Sequence, residues 1–135
     1  MRALAALLLL AACATTQATP PERLAGCWIE RNHIGGAETM RWLPDGAGGL
    51  HGDLLRYGTS GASGRESYTL RQQPEGFALC QTGVAETCWR VAQGEGGSLD
   101  GGRAFIDAYG DGLRISVIDS GGQRVIFQGR RDGCD

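Results

Sequence analysis

The chain has no lysine. Its positive charge comes entirely from arginine, 13 residues against 15 aspartates and glutamates, for a formal net charge of −2. The arginines form no basic block, so the chain lacks the electrostatic footprint of a nucleic-acid-binding protein. No cysteine pair is spaced Cys-x-x-Cys, which disfavours zinc and thioredoxin-type chemistry. No apolar run approaches the roughly 20 residues that a membrane-spanning helix needs. Only two histidines occur, His33 and His51, and no third or fourth ligand accompanies them, so neither a metal nor another cofactor is expected. Past the first dozen residues no stretch sustains a helical period.

What is present begins at the start. One charge, Arg2, precedes the apolar run that ends at Ala12, the layout of a secretory signal. Leu10-Ala11-Ala12-Cys13 resembles the bacterial lipobox, with small residues before the cut and a thiol to accept diacylglycerol. This makes residues 1–12 a signal peptide, Cys13 a lipidation site and residues 13–19 a tether. The competing reading is an ordinary secretory signal cut near residues 16–18, with Cys13 discarded. Ala14 rather than Asp follows the lipid site, which by resemblance to enterobacterial sorting favours the outer membrane, facing the periplasm.

Residues 20–135 suffice for one domain. Thr19-Pro20-Pro21-Glu22 reads as a helix start, with a capping residue, prolines suited to a first turn and a Glu three residues on. Gly26 ends the turn. Beyond it, glycine-rich clusters alternate with short runs of period two. Strands are expected near 26–31, 38–43, 49–57, 65–73, 76–82, 86–93, 103–108, 112–118 and 123–130. Eight to nine such strands imply an all-β fold, a small antiparallel up-and-down barrel. Alternation places Trp28, Met40, Trp42, Tyr68, Leu70, Phe77, Leu79, Trp89, Val91, Leu113, Ile115, Val117, Val125 and Phe127 inside, and His51 outside.

Four cysteines follow Cys13, and four allow three pairings. Folding 76–82 onto 86–93 about Val84 sets Leu79 against Trp89 inside and Cys80 against Cys88 outside. Opposed β-carbons in such a pair come close enough for a bridge. Cys80–Cys88 is therefore the expected pair. Cys27 and Cys134 remain to tie the first strand to the chain end.

Gly26-Cys27-Trp28 after a helical turn, with Arg130-Arg131 late in the chain, resembles the lipocalin and calycin pattern. There a tryptophan plugs one end of the barrel and a late arginine packs across its ring. The first half also resembles a bacterial family of uncharacterised lipocalin-like proteins, through Leu24, Gly26 and Trp28; Trp42, Pro44, Gly48 and Gly49; Gly52 and Arg56; and Glu66. Met40 stands where that family has an acidic residue, and Arg56 lies one residue further from Gly52 than the pattern asks. The resemblance implies a fold and transfers no activity.

Glu30, Arg56 and Glu66 are polar yet inward by alternation. An inward Arg must be paired, and Glu66 is its expected partner. With Trp42, Tyr68 and Trp89 they outline an aromatic site with a few convergent polar groups, suited to a small, partly apolar ligand. No nucleophile motif appears: Gly61-Ala62-Ser63-Gly64 precedes no helix. Asp107 and Asp111-Gly112 lack calcium-loop spacing and read as a hairpin turn. The expectation is a non-enzymatic envelope lipoprotein that binds such a ligand inside a barrel. Alternatives are a periplasmic protein-interaction or inhibitor module, of the lysozyme or protease inhibitor type, acting through loops 31–37, 44–49 or 58–64, and a structural envelope component.

Overall fold

A computed structural model describes residues 20–32, 35–83, 85–92 and 102–134. The signal, Cys13, the tether, Thr19 and His33 lie outside these residues. Nine strands close into a barrel in chain order. They are β1 (Gly26–Arg31), β2 (Ala37–Pro44), β3 (Leu50–Gly58), β4 (Gly61–Gln73), β5 (Gly76–Thr82), β6 (Thr87–Val91), β7 (Arg103–Tyr109), β8 (Gly112–Asp119) and β9 (Gly122–Asp132). A short helix, α1 (Pro20–Leu24), precedes them.

The strand count has a topological consequence. If every neighbour were antiparallel, β1 and β9 would run the same way. They pair antiparallel instead, through Cys27↔Asp132, Trp28↔Arg131 and Ile29↔Arg130. One parallel pair must therefore occur elsewhere, and it is β6 with β7, held at Arg90↔Arg103 and Val91↔Ala104. This departs from a strict up-and-down meander. A parallel neighbour needs a long crossover rather than a tight hairpin, and glycine-rich spacing does not distinguish the two.

The expected inward residues largely form the core. Trp28, Met40, Trp42, Tyr68, Leu70, Leu79, Trp89, Val91, Leu113, Ile115, Val117 and Phe127 are all buried, with Leu24 and Leu54. Phe77 is half-buried and packs against them. Val125 is the exception, at 45 % exposed. The register jumps from Ile115↔Phe127 to Ser116↔Val125. Ile126 is thus an extra residue, a β-bulge, and a bulge turns the rest of its strand by one face. Val125 swings outward, Ile126 is buried instead, and Arg124 comes opposite the inward Val117. A second register shift between Arg56 and Tyr57 lengthens β4 back to Gly61, so most of the expected 58–64 loop is strand.

Both expected disulfides are present. Cys80 and Cys88 are register partners with Cα atoms 4.0 Å apart. Cys80 lies on the outer face as expected, yet is covered, at 1 % exposed. Cys27–Cys134 spans 107 residues and locks the β1–β9 seam. Beside it, the Arg131 guanidinium sits 4.1 Å from the centre of the Trp28 ring. Arg131 also donates to the carbonyls of Ala25 and Arg23 at 3.0 and 2.9 Å, satisfying the end of α1. Trp28 donates its indole N–H to the Leu24 carbonyl at 2.9 Å. Gly26 is required here: its φ is +120°, and a Cβ would stand 2.9 Å from an Arg131 nitrogen. Gly52 is required likewise, because the Trp42 ring lies flat on it and a Cβ would come within 2.6 Å of ring carbons.

Replacing Cys27 and Cys134 together by Ser should lower stability by up to about 4–5 kcal/mol, the chain-entropy figure for a loop of about a hundred residues. Urea unfolding of the double variant checks this. A change under about 1 kcal/mol would mean that the seam holds without its bridge.

Candidate functional site

The two ends of the barrel differ in chemistry. β1 begins at one end, where α1, Trp28 and Arg131 close it. The other end, where β1 stops and β2 starts, carries the polar inward residues. We call it the mouth.

At the mouth Arg56 lies between two carboxylates. Its Nε donates to Glu38 Oε1 at 3.0 Å and an Nη donates to Glu66 Oε2 at 3.2 Å. Tyr68 donates its hydroxyl to that same Glu66 oxygen at 3.1 Å. The positions follow from register: Glu38 faces Arg56 across β2 and β3, and Glu66 stands beside Leu54 on β4. All three charged side chains are about one-third exposed, so the network forms a wetted rim and its ion pairs are individually weak. The hydrogen bond that it donates to Glu66, with that to Glu38 behind it, holds the Arg56 guanidinium above its usual pKa against the effect of burial. Burial raises the Tyr68 phenol, reinforced by the Glu66 charge, while Arg124 and Arg56 pull the other way. Tyr68 therefore stays protonated and donating.

A second cluster shares the mouth. The Trp89 indole N–H donates to Asp119 Oδ2 at 3.1 Å, and the Arg124 guanidinium stacks 5.4 Å from the centre of the Trp89 ring. The Trp89 bond and the backbone N–H of Gly121 lower the Asp119 pKa.

The expected pair Arg56–Glu66 is thus formed, with Tyr68 joined to it and Trp89 in the neighbouring cluster. Trp42 lies deeper, at the α1 end of β2 opposite Gly26. Its indole N–H is buried and has no hydrogen-bond partner among the described residues. Glu30 does not join the group: it is exposed at the last turn of β1, where β1 has already parted from β9. Glu38, Arg124 and Asp119 were not among the expected site residues. Glu38 lies two before the inward Met40, so alternation extended by one step would have reached it. Arg124 is inward only because of the bulge at Ile126, which no alternation reveals.

Among the described residues, the interior beneath the rim is filled. Side chains around an empty chamber carry accessible surface on their inner side, and native cores leave few voids larger than a water molecule. Trp42, Leu54, Leu70, Leu79, Trp89, Ile115 and Val117 are 0 % exposed, and Tyr68 2 %. Among the described residues, two clefts lie away from these side chains. One of about 460 Å³ runs between β1 and β9, along Ile29–Arg31 and Gln128–Arg130. Another, of about 400 Å³, crosses the outer face of β1 to β4 beside Cys27–Cys134.

On that outer face Asp53 accepts from Arg65 at 3.0 Å and Ser67 at 2.9 Å, with exposed His51 at 3.6 Å. The Ser67 hydroxyl meets the carboxylate and not the imidazole, so the three side chains are not arranged as a Ser–His–Asp relay. Cys80, Glu86 and Cys88 cluster as metal ligands do, but their disulfide leaves no thiolate to bind. The Asp107–Gly112 segment is the β7–β8 hairpin, as expected, with Gly110 at positive φ. Comparisons with protein-family models, curated proteins and solved structures found no match.

Burial works against the Asp53 carboxylate, but the bonds from Arg65 and Ser67 outweigh it and lower its pKa from 3.8. A carboxyl lowered in the folded state stabilises above its unfolded pKa, and that contribution vanishes as pH falls through the folded value. Asp53→Asn should therefore be less stable than the parent at pH 7, with the difference closing as pH falls through the lowered folded-state value. Urea midpoints across that range check this. A constant difference would show that the charge is not responsible.

Proposed function

We propose that this is a non-enzymatic cell-envelope lipoprotein, tethered through Cys13 and acting as a protein-interaction module through the mouth of its barrel. The observation that carries this reading is the filled interior beneath a polar, half-exposed rim. A barrel that stores a ligand needs a chamber of some hundreds of cubic ångströms, and here aromatic side chains occupy that space. The rim offers fixed charges of both signs, Glu38 and Glu66 beside Arg56, and Asp119 beside Arg124. Hairpins on either side frame it. Such paired charges give orientation and partner choice more than raw affinity.

Export rests on the apolar start ending at Cys13. The two disulfides support it, since such bonds persist in oxidising compartments. Outer-membrane placement facing the periplasm rests on Ala14. Kinship with the lipocalin-like family is supported by Gly26, Trp28 and the stacked Arg131. The parallel β6–β7 pair stands against an unmodified version of that plan.

A second reading keeps a small, partly apolar ligand, with Trp42, Arg56, Glu66, Tyr68 and Trp89 as its contacts. It is favoured by one observation, the buried Trp42 N–H with no partner among the described residues. A ligand acceptor would satisfy it, and the ligand would have to displace packed side chains.

Photo-crosslinking residues placed at Thr59, on the mouth hairpin, and at Glu75, at the opposite end, separate these readings. The interaction reading expects one discrete protein adduct from Thr59, none from Glu75, and its loss in Arg56→Glu with near-ultraviolet circular dichroism unchanged. No adduct, together with a small molecule retained in native mass spectra, would overturn it in favour of the ligand.

A further inference from the structure

We infer that the α1 end of the barrel is a lipid-facing surface, with Tyr109 and Leu43 at headgroup level and the polar mouth held away from the bilayer. The inference rests on the proposed anchoring at Cys13 and goes beyond it, to the orientation of the domain.

Chain length supplies the first argument. Seven residues lead from Cys13 to Pro20, the first residue of α1. Fully extended, they span at most about 25 Å. The far end of this tether is not a loose coil. Leu24 is fully buried, Trp28 bonds its carbonyl, and Arg131 holds the carbonyls of Arg23 and Ala25. The bilayer is thus tied by a short line to one rigid end of the barrel.

Topology identifies what else lies at that end. β1 begins there, so β2 ends and β3 begins there, which places the hairpin between Pro44 and Leu50 at this end. β7 runs parallel to β6, which brings the β7–β8 hairpin there too. The Arg131 backbone N–H donates to the Asp111 carbonyl at 2.6 Å, fixing that hairpin beside the residue that covers Trp28.

Chemistry then selects the contacts. Tyr109 flanks this hairpin at 76 % exposed, and Leu43 flanks the other at 44 %. Tyrosine suits the bilayer interface because its ring is apolar and its hydroxyl polar. Exposed apolar side chains also occur towards the mouth, Tyr57, Ile118 and Val125 among them, so exposure alone does not choose the end. Both ends carry charge, Asp45, Glu75 and Asp111 in the hairpins of the α1 end and Glu38, Arg56, Glu66, Asp119 and Arg124 at the mouth, so charge does not choose the end either. The tether does. Two modest contacts suffice, because a short tether makes them intramolecular, at an effective concentration in the millimolar range.

The test uses the full mature chain, acylated in cells and reconstituted into nanodiscs containing a gadolinium-chelate lipid. Intact mass of the extracted protein comes first. If Cys13 carries no diacylglycerol, the anchoring reading fails and the inference falls with it. On acylated protein, amide signals should lose intensity most at Leu43, Tyr109, Gly110 and Asp111, and least at Thr59, Ser60 and Gly121. Tyr109→Ser combined with Leu43→Ser should flatten that gradient. A uniform or reversed gradient on acylated protein overturns the orientation and leaves the anchoring intact. A gradient untouched by the double substitution overturns the assignment of these two side chains.

Discussion

Closure of β1 on β9 is the constraint on which the other features depend. Only three register pairs join these strands, against eight along β8 and β9. Unsupported, so short a seam would leave two open sheet edges, and open edges invite pairing with other chains. Three further devices converge on it. Cys27–Cys134 joins the strands covalently, Arg131 lies over Trp28, and the same guanidinium ties α1 across the barrel end. One side chain thus serves as plug, cap and clamp. The antiparallel sense of the seam also requires a parallel pair elsewhere among the nine strands, and it falls at β6–β7.

From closure follows the division of labour between the ends. A plugged end with a short helix lets large aromatics fill the space behind it, Trp28 and Trp42 near the plug, Tyr68, Trp89 and Phe127 beyond. The apolar rows run out at the other end, where the inward positions of β2, β3 and β4 are taken by Glu38, Arg56 and Glu66. These charges stay wetted, so their burial costs little. The bulge at Ile126 completes this end by turning Arg124 inward over Trp89.

Much of this was legible because it is local. Nine strands follow from period two and glycine-rich turns, and the Cys80–Cys88 bridge follows from one hairpin register. Cys27–Cys134 then follows by elimination. Trp28 and Arg131 were legible only through resemblance, since 103 positions separate them in the chain. The unread features are those where a pattern slips. Val125 and Arg124 were misplaced or missed because one extra residue reverses alternation without leaving a compositional mark. The β6–β7 sense is a property of the closed ring, not of either strand. Whether the interior is open or filled depends on side-chain volumes across the barrel, which alternation does not sum. Trp42 and Trp89 therefore read as cavity lining when in fact they are packed.

The barrel is filled, and we propose that it acts from its mouth. Methyl-detected nuclear magnetic resonance, with benzene or xenon as a small apolar probe, tests it most directly, because a dry apolar cavity takes up such probes. The account predicts that the methyl signals of Leu54, Leu70, Leu79, Ile115 and Val117 show no saturable shift. A saturable shift at these inward positions would reveal a chamber in the core and contradict it.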